Sequence, residues 1–285
     1  MKFKLALTLA VSILLSFNQT LHAGEIIIKN GEKMAFLGDS ITAQGWNSST
    51  GYVRLVLAGL KEQGINITPI PVGAGGHQSI MMLRRLDKDV LQKKPHWMTL
   101  SCGVNDVWHG ARGVKLEDYK KNIIEIVDKC QAAGVKVIIF TPTMIGETDH
   151  PHFIALNKKL DTYVAFLKTL AKERNLLIAD LNADMKAVVQ KHQKNNGSKH
   201  NYLTNDGVHM NPLGNVMMAK GVLRSFGFDD VMIAKSATAW DKLSVAETVR
   251  LDITLEQYKK YSQLSNQKKR ELRNTMKDLI VEAVK

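Results

Sequence analysis

Gly38-Asp39-Ser40 follows the apolar run Met34-Ala35-Phe36-Leu37, so a serine stands where a strand should end. A serine hydroxyl is nearly inert at neutral pH unless a neighbouring base accepts its proton. Asp206-Gly207-Val208-His209 can supply that base. Its imidazole takes the proton, and the carboxylate three residues earlier holds the tautomer and stabilises the imidazolium. The segment is rich in turn formers and precedes a helix expected to begin near Pro212, so both side chains can project toward the strand ends. The other histidines are set differently: His150 and His152 flank a proline, and His192 and His200 lie in polar stretches with no aspartate at that spacing.

Attack on an ester carbonyl creates an oxyanion, which needs preorganised donors; removing one commonly costs about 10²–10³ in rate. Gly73-Ala74-Gly75-Gly76 offers backbone N–H groups that no side chain screens, and Gly103-Val104-Asn105-Asp106 offers the amide of Asn105. Each block also has a plainer reading, as a tight turn or as a loop that caps the next helix. A dinucleotide loop is excluded by spacing, because Gln78 stands where G-x-G-x-x-G requires glycine. The Gly-x-Ser-x-Gly elbow of ordinary α/β-hydrolases is absent as well. His77, Trp108 and His109 adjoin the two blocks and are candidate walls of a substrate pocket, where the Trp108 ring can stack on a sugar; packing is the alternative for each.

These residues need elements that bring distant segments to one edge. Short apolar runs alternate with longer segments of helical period, the order of an α/β domain with a parallel sheet. Five strands are expected: Lys33 to Leu37, Asn66 to Val72, Trp97 to Cys102, Val135 to Phe140, and Leu176 to Ala179. The fourth is β-branched and nearly all apolar, as a strand covered on both faces would be. Crossover helices are expected over Tyr52 to Lys61, Ser79 to Val90, Leu116 to Ala132 and Ile154 to Arg174. From Asp229 onward glycine and proline vanish and charged helical sequence follows, which reads as an appended pair of solvated helices. The domain expectation is therefore a leader over 1–23, a catalytic domain over 24–228 and a helical extension over 229–285.

Residues Met1 to Ala23 have the layout of a secretory signal peptide: Lys2 and Lys4, an apolar run from Leu5 to Leu15, and a polar stretch ending in Ala23. The protein is expected to be exported, periplasmic or secreted, with no transmembrane segment once the leader is removed. Cys102 and Cys130 are the only cysteines, too few for a disulfide framework, and their placement favours separate packing. The formal net charge of +12 collects on no one face, which argues against a nucleic-acid partner.

Taken together, the four blocks resemble the SGNH hydrolase family of GDSL-type esterases and lipases, over about Lys33 to Phe226. Ile41 replaces the leucine of the shortened Gly-Asp-Ser-Leu pattern. The resemblance implies a flavodoxin-like, three-layer α/β/α sandwich with a five-stranded parallel sheet. It implies Ser40 as nucleophile, His209 as base and Asp206 as its orienter, which leaves Asp39 a structural residue. It also implies an oxyanion hole from the N–H groups of Ser40 and Gly76 with the Asn105 side chain, and neither metal nor cofactor. The expected activity is hydrolysis of a short acyl ester, acetyl above all, on a carbohydrate. A lysophospholipase or thioesterase of the same mechanism is the alternative, and a non-catalytic carbohydrate-binding or envelope protein is the reading from another class.

Overall fold

The computed structural model describes residues 25–197, 200–244 and 254–267. The expected leader lies outside the described residues. Five strands, β1 (Lys33–Gly38), β2 (Thr68–Gly73), β3 (Trp97–Ser101), β4 (Lys136–Phe140) and β5 (Leu177–Ala179), pair in parallel in the order β2-β1-β3-β4-β5. Every expected strand is present. β3 is buried at all five positions and β4 at all but Lys136, because helices cover both faces of a parallel sheet.

β2 is an edge strand although it carries Pro69 and Pro71. The amides of Thr68 and Ala74 donate to the carbonyls of Glu32 and Gly38 at 2.8 and 3.0 Å, so even-numbered positions face β1. The prolines, which have no N–H to offer, therefore point their nitrogens away from the ladder.

The helices follow in chain order: α1 (Ser40–Asn47), α2 (Tyr52–Glu62), α3 (Ser79–Asp89), α4 (Val104–Trp108), α5 (Leu116–Ala132), α6 (Pro151–Glu173), α7 (Leu181–Asn196), α8 (Pro212–Ser225) and α9 (Asp230–Trp240). The crossover from β1 to β2 runs one way across the sheet, and those from β2 to β3, β3 to β4 and β4 to β5 run the other. Right-handed crossovers then send α2 to one face and α3, α5 and α6 to the other. α2 packs with α8 and α9, and α5 packs with α3 and α6. The sheet buries Phe36 and Phe140, and the helices bury Tyr52, Tyr119, Tyr163 and Phe226 against it. Burial of such side chains contributes about 1.5–3 kcal/mol each.

Three helices, α1, the short α4 and α7, are additional to the expected set. α1 starts at Ser40 itself, capped by Asp39, and α7 starts directly after the short β5, capped by Asp180. α8 begins at Pro212 as expected, with Asn211 as its cap. The chain divides into one unit up to Val245 and another from Ala246. The anticipated boundary at 228/229 therefore differs from the observed division: α9 belongs with the sheet, since Trp240 is buried and its indole donates to the Leu55 carbonyl at 3.0 Å. Composition alone does not reveal that packing. In the second unit, α10 (Leu255–Gln267) opens on a reciprocal cap in which the Gln257 amide donates to Thr254 Oγ1 and the Thr254 amide to Gln257 Oε1. No helix of the described residues is long and apolar enough to cross a membrane. Cys102 and Cys130 are both free and buried, in separate surroundings.

Candidate active site

The strand order reverses between β1 and β3, and the carboxyl ends of strands beside such a reversal form a natural crevice. Ser40 stands directly after β1, the glycine block after β2, and Asn105 after β3. Gly38 ends β1 where the first turn of α1 folds back closely: a Cβ there would lie 2.0 Å from Thr42 Oγ1. Glycine is thus required by close approach and not by a left-handed backbone. Asp39 caps α1 by accepting the Ile41 amide at 2.9 Å, which leaves Ser40 in the first turn, where N–H groups have no partner within the helix.

Ser40 Oγ lies 2.9 Å from His209 Nε2, and His209 Nδ1 lies 2.6 Å from Asp206 Oδ2. The other oxygen of Asp206 accepts the amides of Val208 and His209 at 3.0 and 2.8 Å, which fixes the carboxylate relative to the ring. Gly207 makes this tight turn possible with φ of 93°. Partial burial raises the Asp206 pKa, but hydrogen bonds from the His209 ring and from the two amides outweigh it and hold the group below its ordinary 3.8. An ionised carboxylate there holds the Nδ1 proton, and Nε2 is left to accept a proton from Ser40.

Of the expected oxyanion donors, the N–H groups of Ser40 and Gly76 have no hydrogen-bond partner among the described residues. Gly76 sits in a turn closed by His77 N–H to the Ala74 carbonyl, with φ of 72° that only glycine adopts freely. Asn105 is buried beside them, and its Nδ2 donates to Asp39 Oδ2 and to the His77 carbonyl, each at 3.2 Å. The structure thus brings Asn105 to the site but engages its amide with protein acceptors. His77 is half-buried; its Nδ1 is buried without a partner, and burial first, then Arg85, depress its pKa. Trp108 closes α4 with 38% of its surface exposed, and His109 follows it, half-buried.

Three residues important to this geometry escaped sequence reasoning. Asp106, fully buried, accepts the Ser79 amide at 3.0 Å and the Ser79 hydroxyl at 2.6 Å, so the Asn-Asp pair ties its own loop to the start of α3. Arg85 of α3 donates to the Gly38 carbonyl at 2.9 Å, beneath the serine turn. Glu147, also buried, accepts the amides of Tyr202 and Leu203. Only Asp106 carried a signal, as the last member of its block. A cleft of about 420 Å³ lined by Trp97, Lys136 and Leu177 lies at the opposite, amino ends of the strands, away from Ser40.

The sequence profile of the GDSL-like lipase/acylhydrolase family matches residues 36–216. An acetylxylan esterase of Geobacillus stearothermophilus is 29% identical over 227 residues, which span 71% of this chain and 97% of that one. The esterase TesA of Pseudomonas aeruginosa is 28% identical over 109 residues, 38% of this chain and 53% of its own. The crystal structure of the Geobacillus enzyme aligns with a TM-score of 0.61 at 27% identity, again over 71% of this chain and 97% of the other. That of a second acetyl xylan esterase aligns with a TM-score of 0.60 at 31% identity, over 68% and 98%. Catalytic mutants of the Geobacillus enzyme replace a serine, an aspartate and a histidine with alanine.

Proposed function

The chain belongs to the GDSL-like lipase/acylhydrolase family, and from that premise we propose that it is an exported serine esterase that removes acetyl groups from carbohydrate. That it hydrolyses carboxylic esters follows from the family and from the esterases it resembles. One observation carries the mechanism: a serine hydroxyl, an imidazole and a carboxylate are joined by contacts of 2.9 and 2.6 Å, with the imidazole in the middle.

In this reading Ser40 Oγ attacks the ester carbonyl while His209 Nε2 takes its proton. The carbonyl oxygen becomes an oxyanion held by the N–H groups of Ser40 and Gly76, and Asn105 joins them by exchanging one of its two protein acceptors, Asp39 or the His77 carbonyl, for the oxyanion. His209 returns the proton to the departing sugar oxygen, leaving acetyl-Ser40. Water then attacks the acyl carbon as His209 accepts its proton. Collapse expels Ser40, which regains the proton, and acetate leaves.

The carbohydrate substrate is supported by the two acetylxylan esterases, each matched along nearly its whole length. Trp108 offers an exposed ring on which a sugar can stack. Export rests on the leader pattern of Met1 to Ala23, and amino-terminal sequencing of the protein recovered from cells is expected to begin at Gly24.

The test is acetate release from acetylated xylo-oligosaccharides, beside a series of nitrophenyl esters of increasing acyl length. Activity is expected to fall from acetyl to long chains, and Ser40→Ala to lose at least about 10³ in kcat. Turnover that grows with chain length overturns the acetyl assignment in favour of a lysophospholipase or thioesterase. Labelling by a fluorophosphonate at any residue other than Ser40 overturns the mechanism.

A further inference from the structure

Residues 200–211, between α7 and α8, carry Asp206 and His209 yet contain no regular element beyond one bridge between Thr204 and Met210. A segment with so little backbone pairing needs another source of order. The Glu147 carboxyl group lies under it, 2% exposed. Oε2 accepts the amides of Tyr202 and Leu203 at 2.8 and 2.9 Å, and Oε1 accepts the Thr204 hydroxyl. Thr204 Oγ1 in turn accepts the Gly207 amide at 3.2 Å, inside the turn between Asp206 and His209. The neighbouring Gly146 amide donates to the Gly207 carbonyl at 2.6 Å, so the turn is gripped at both polar groups of one peptide-bearing residue.

We propose that Glu147 is a positioning residue for the reaction, acting through Thr204 on the Asp206-His209 turn; this rests on the roles given above to Ser40, Asp206 and His209. Burying a carboxyl group is unfavourable unless its oxygens are satisfied, and here the donors that satisfy it belong to this one loop. Its backbone is anchored independently of the side chain: the carbonyl accepts Gln193 Nε2 from α7, and Ile145, two residues earlier, is clamped by Asn157 of α6 at 2.9 and 2.8 Å. The carboxyl group therefore transmits the position of a fixed frame to a loop with few backbone bonds of its own. Because Thr204 both donates to Glu147 and accepts from Gly207, loss of either group removes one of the two grips on the turn that sets the 2.9 Å contact between His209 and Ser40, leaving the Gly146 bond as the other.

The experiment compares Glu147→Gln, Glu147→Ala, Thr204→Val and Thr204→Ser in the full chain. Steady-state kinetics use nitrophenyl acetate well below the melting temperature, and proton NMR follows the downfield signal of the His209 N–H shared with Asp206. Glu147→Ala and Thr204→Val are expected to lower kcat by about 10- to 10²-fold with KM changed less than about twofold, and to shift or broaden the signal. Glu147→Gln, which keeps one acceptor, is expected to fall between, and Thr204→Ser, which keeps the hydroxyl, to restore both readouts. If Glu147→Ala does not fold, the Thr204 pair decides. Normal kcat and an unmoved signal in Thr204→Val overturn the proposal, as does a lower melting temperature as the sole change in Glu147→Ala. The NMR readout needs no turnover: a signal moved by these variants, alongside a Ser40→Ala protein that still hydrolyses ester, would keep the positioning role and reject the nucleophile.

Discussion

Asp39 and Asn105, 66 residues apart in the chain, meet by a 3.2 Å hydrogen bond directly beneath Ser40. One carboxylate oxygen caps the helix that begins at the serine, and the other holds the amide proposed to stabilise the oxyanion. The middle residue of Gly38-Asp39-Ser40 is therefore a strut between the turn after β1 and the loop after β3.

That strut predicts a pH-dependent stability. Burial lifts the Asp39 pKa from 3.8 to about 6, opposed by the Ile41 amide and His209 and aided by Asp106. The folded form thus holds the proton more tightly than the unfolded chain. Its contribution is complete below pH 3.8 and is lost as pH rises through about 6. By neutral pH the loss amounts to about 3 kcal/mol. Asp39→Asn retains a capping oxygen. In urea titrations the wild-type protein should lose stability relative to this variant between about pH 4 and 7, and parallel curves would contradict the shift.

Asn105→Ala should lower kcat by about 10²–10³ with little change in KM, since an oxyanion donor acts on the transition state. Nitrophenyl acetate kinetics measure this directly. A rise in KM alone would mean that the amide only supports the His77 turn, to which it also donates.

Asp206→Asn keeps the side chain's shape, but its amide nitrogen can turn toward His209 Nδ1 and favour the wrong tautomer. A loss of about 10³–10⁴ in kcat is expected. Because the wild-type carboxylate titrates below 3.8, its own protonation should leave no step in the rate profile above that pH. Rate profiles of the wild-type protein, taken down to about pH 4, check the second point.

Gly38→Ala places a Cβ 2.0 Å from Thr42 Oγ1 and 2.7 Å from Thr42 Cβ. Overpacking of this kind should destabilise the protein by about 1–3 kcal/mol. Combination with Thr42→Ala, which removes the colliding oxygen, should give less than the sum of the two single losses in urea denaturation. Strict additivity would place the strain elsewhere.

Most of the sheet was legible because parallel strands buried on both faces are short apolar runs, and Val137-Ile138-Ile139-Phe140 reads as such without its neighbours. α7 was not, since its buried face consists of Leu181, Asn182, Met185 and Val189 among polar residues, too thin a stripe for a helical period to stand out. α9 was legible as a helix and not as part of the first unit, because the pairing of Trp240 with the Leu55 carbonyl spans 185 residues.

The sequence by itself determined which groups were present for chemistry and how Asp206 and His209 relate, because a carboxylate and an imidazole three residues apart in a glycine turn meet through local backbone geometry. It also determined that Ser40 follows a strand. Only the tertiary structure decided that Asp39 holds Asn105, that Asp106 holds the start of α3, and that Glu147 lies under the loop bearing His209. Those three carboxyl groups are recruited by backbone and amide donors from segments 66, 27 and 56 residues away, and a buried carboxyl group's partners are set by which chain ends the sheet gathers together, which no local pattern records.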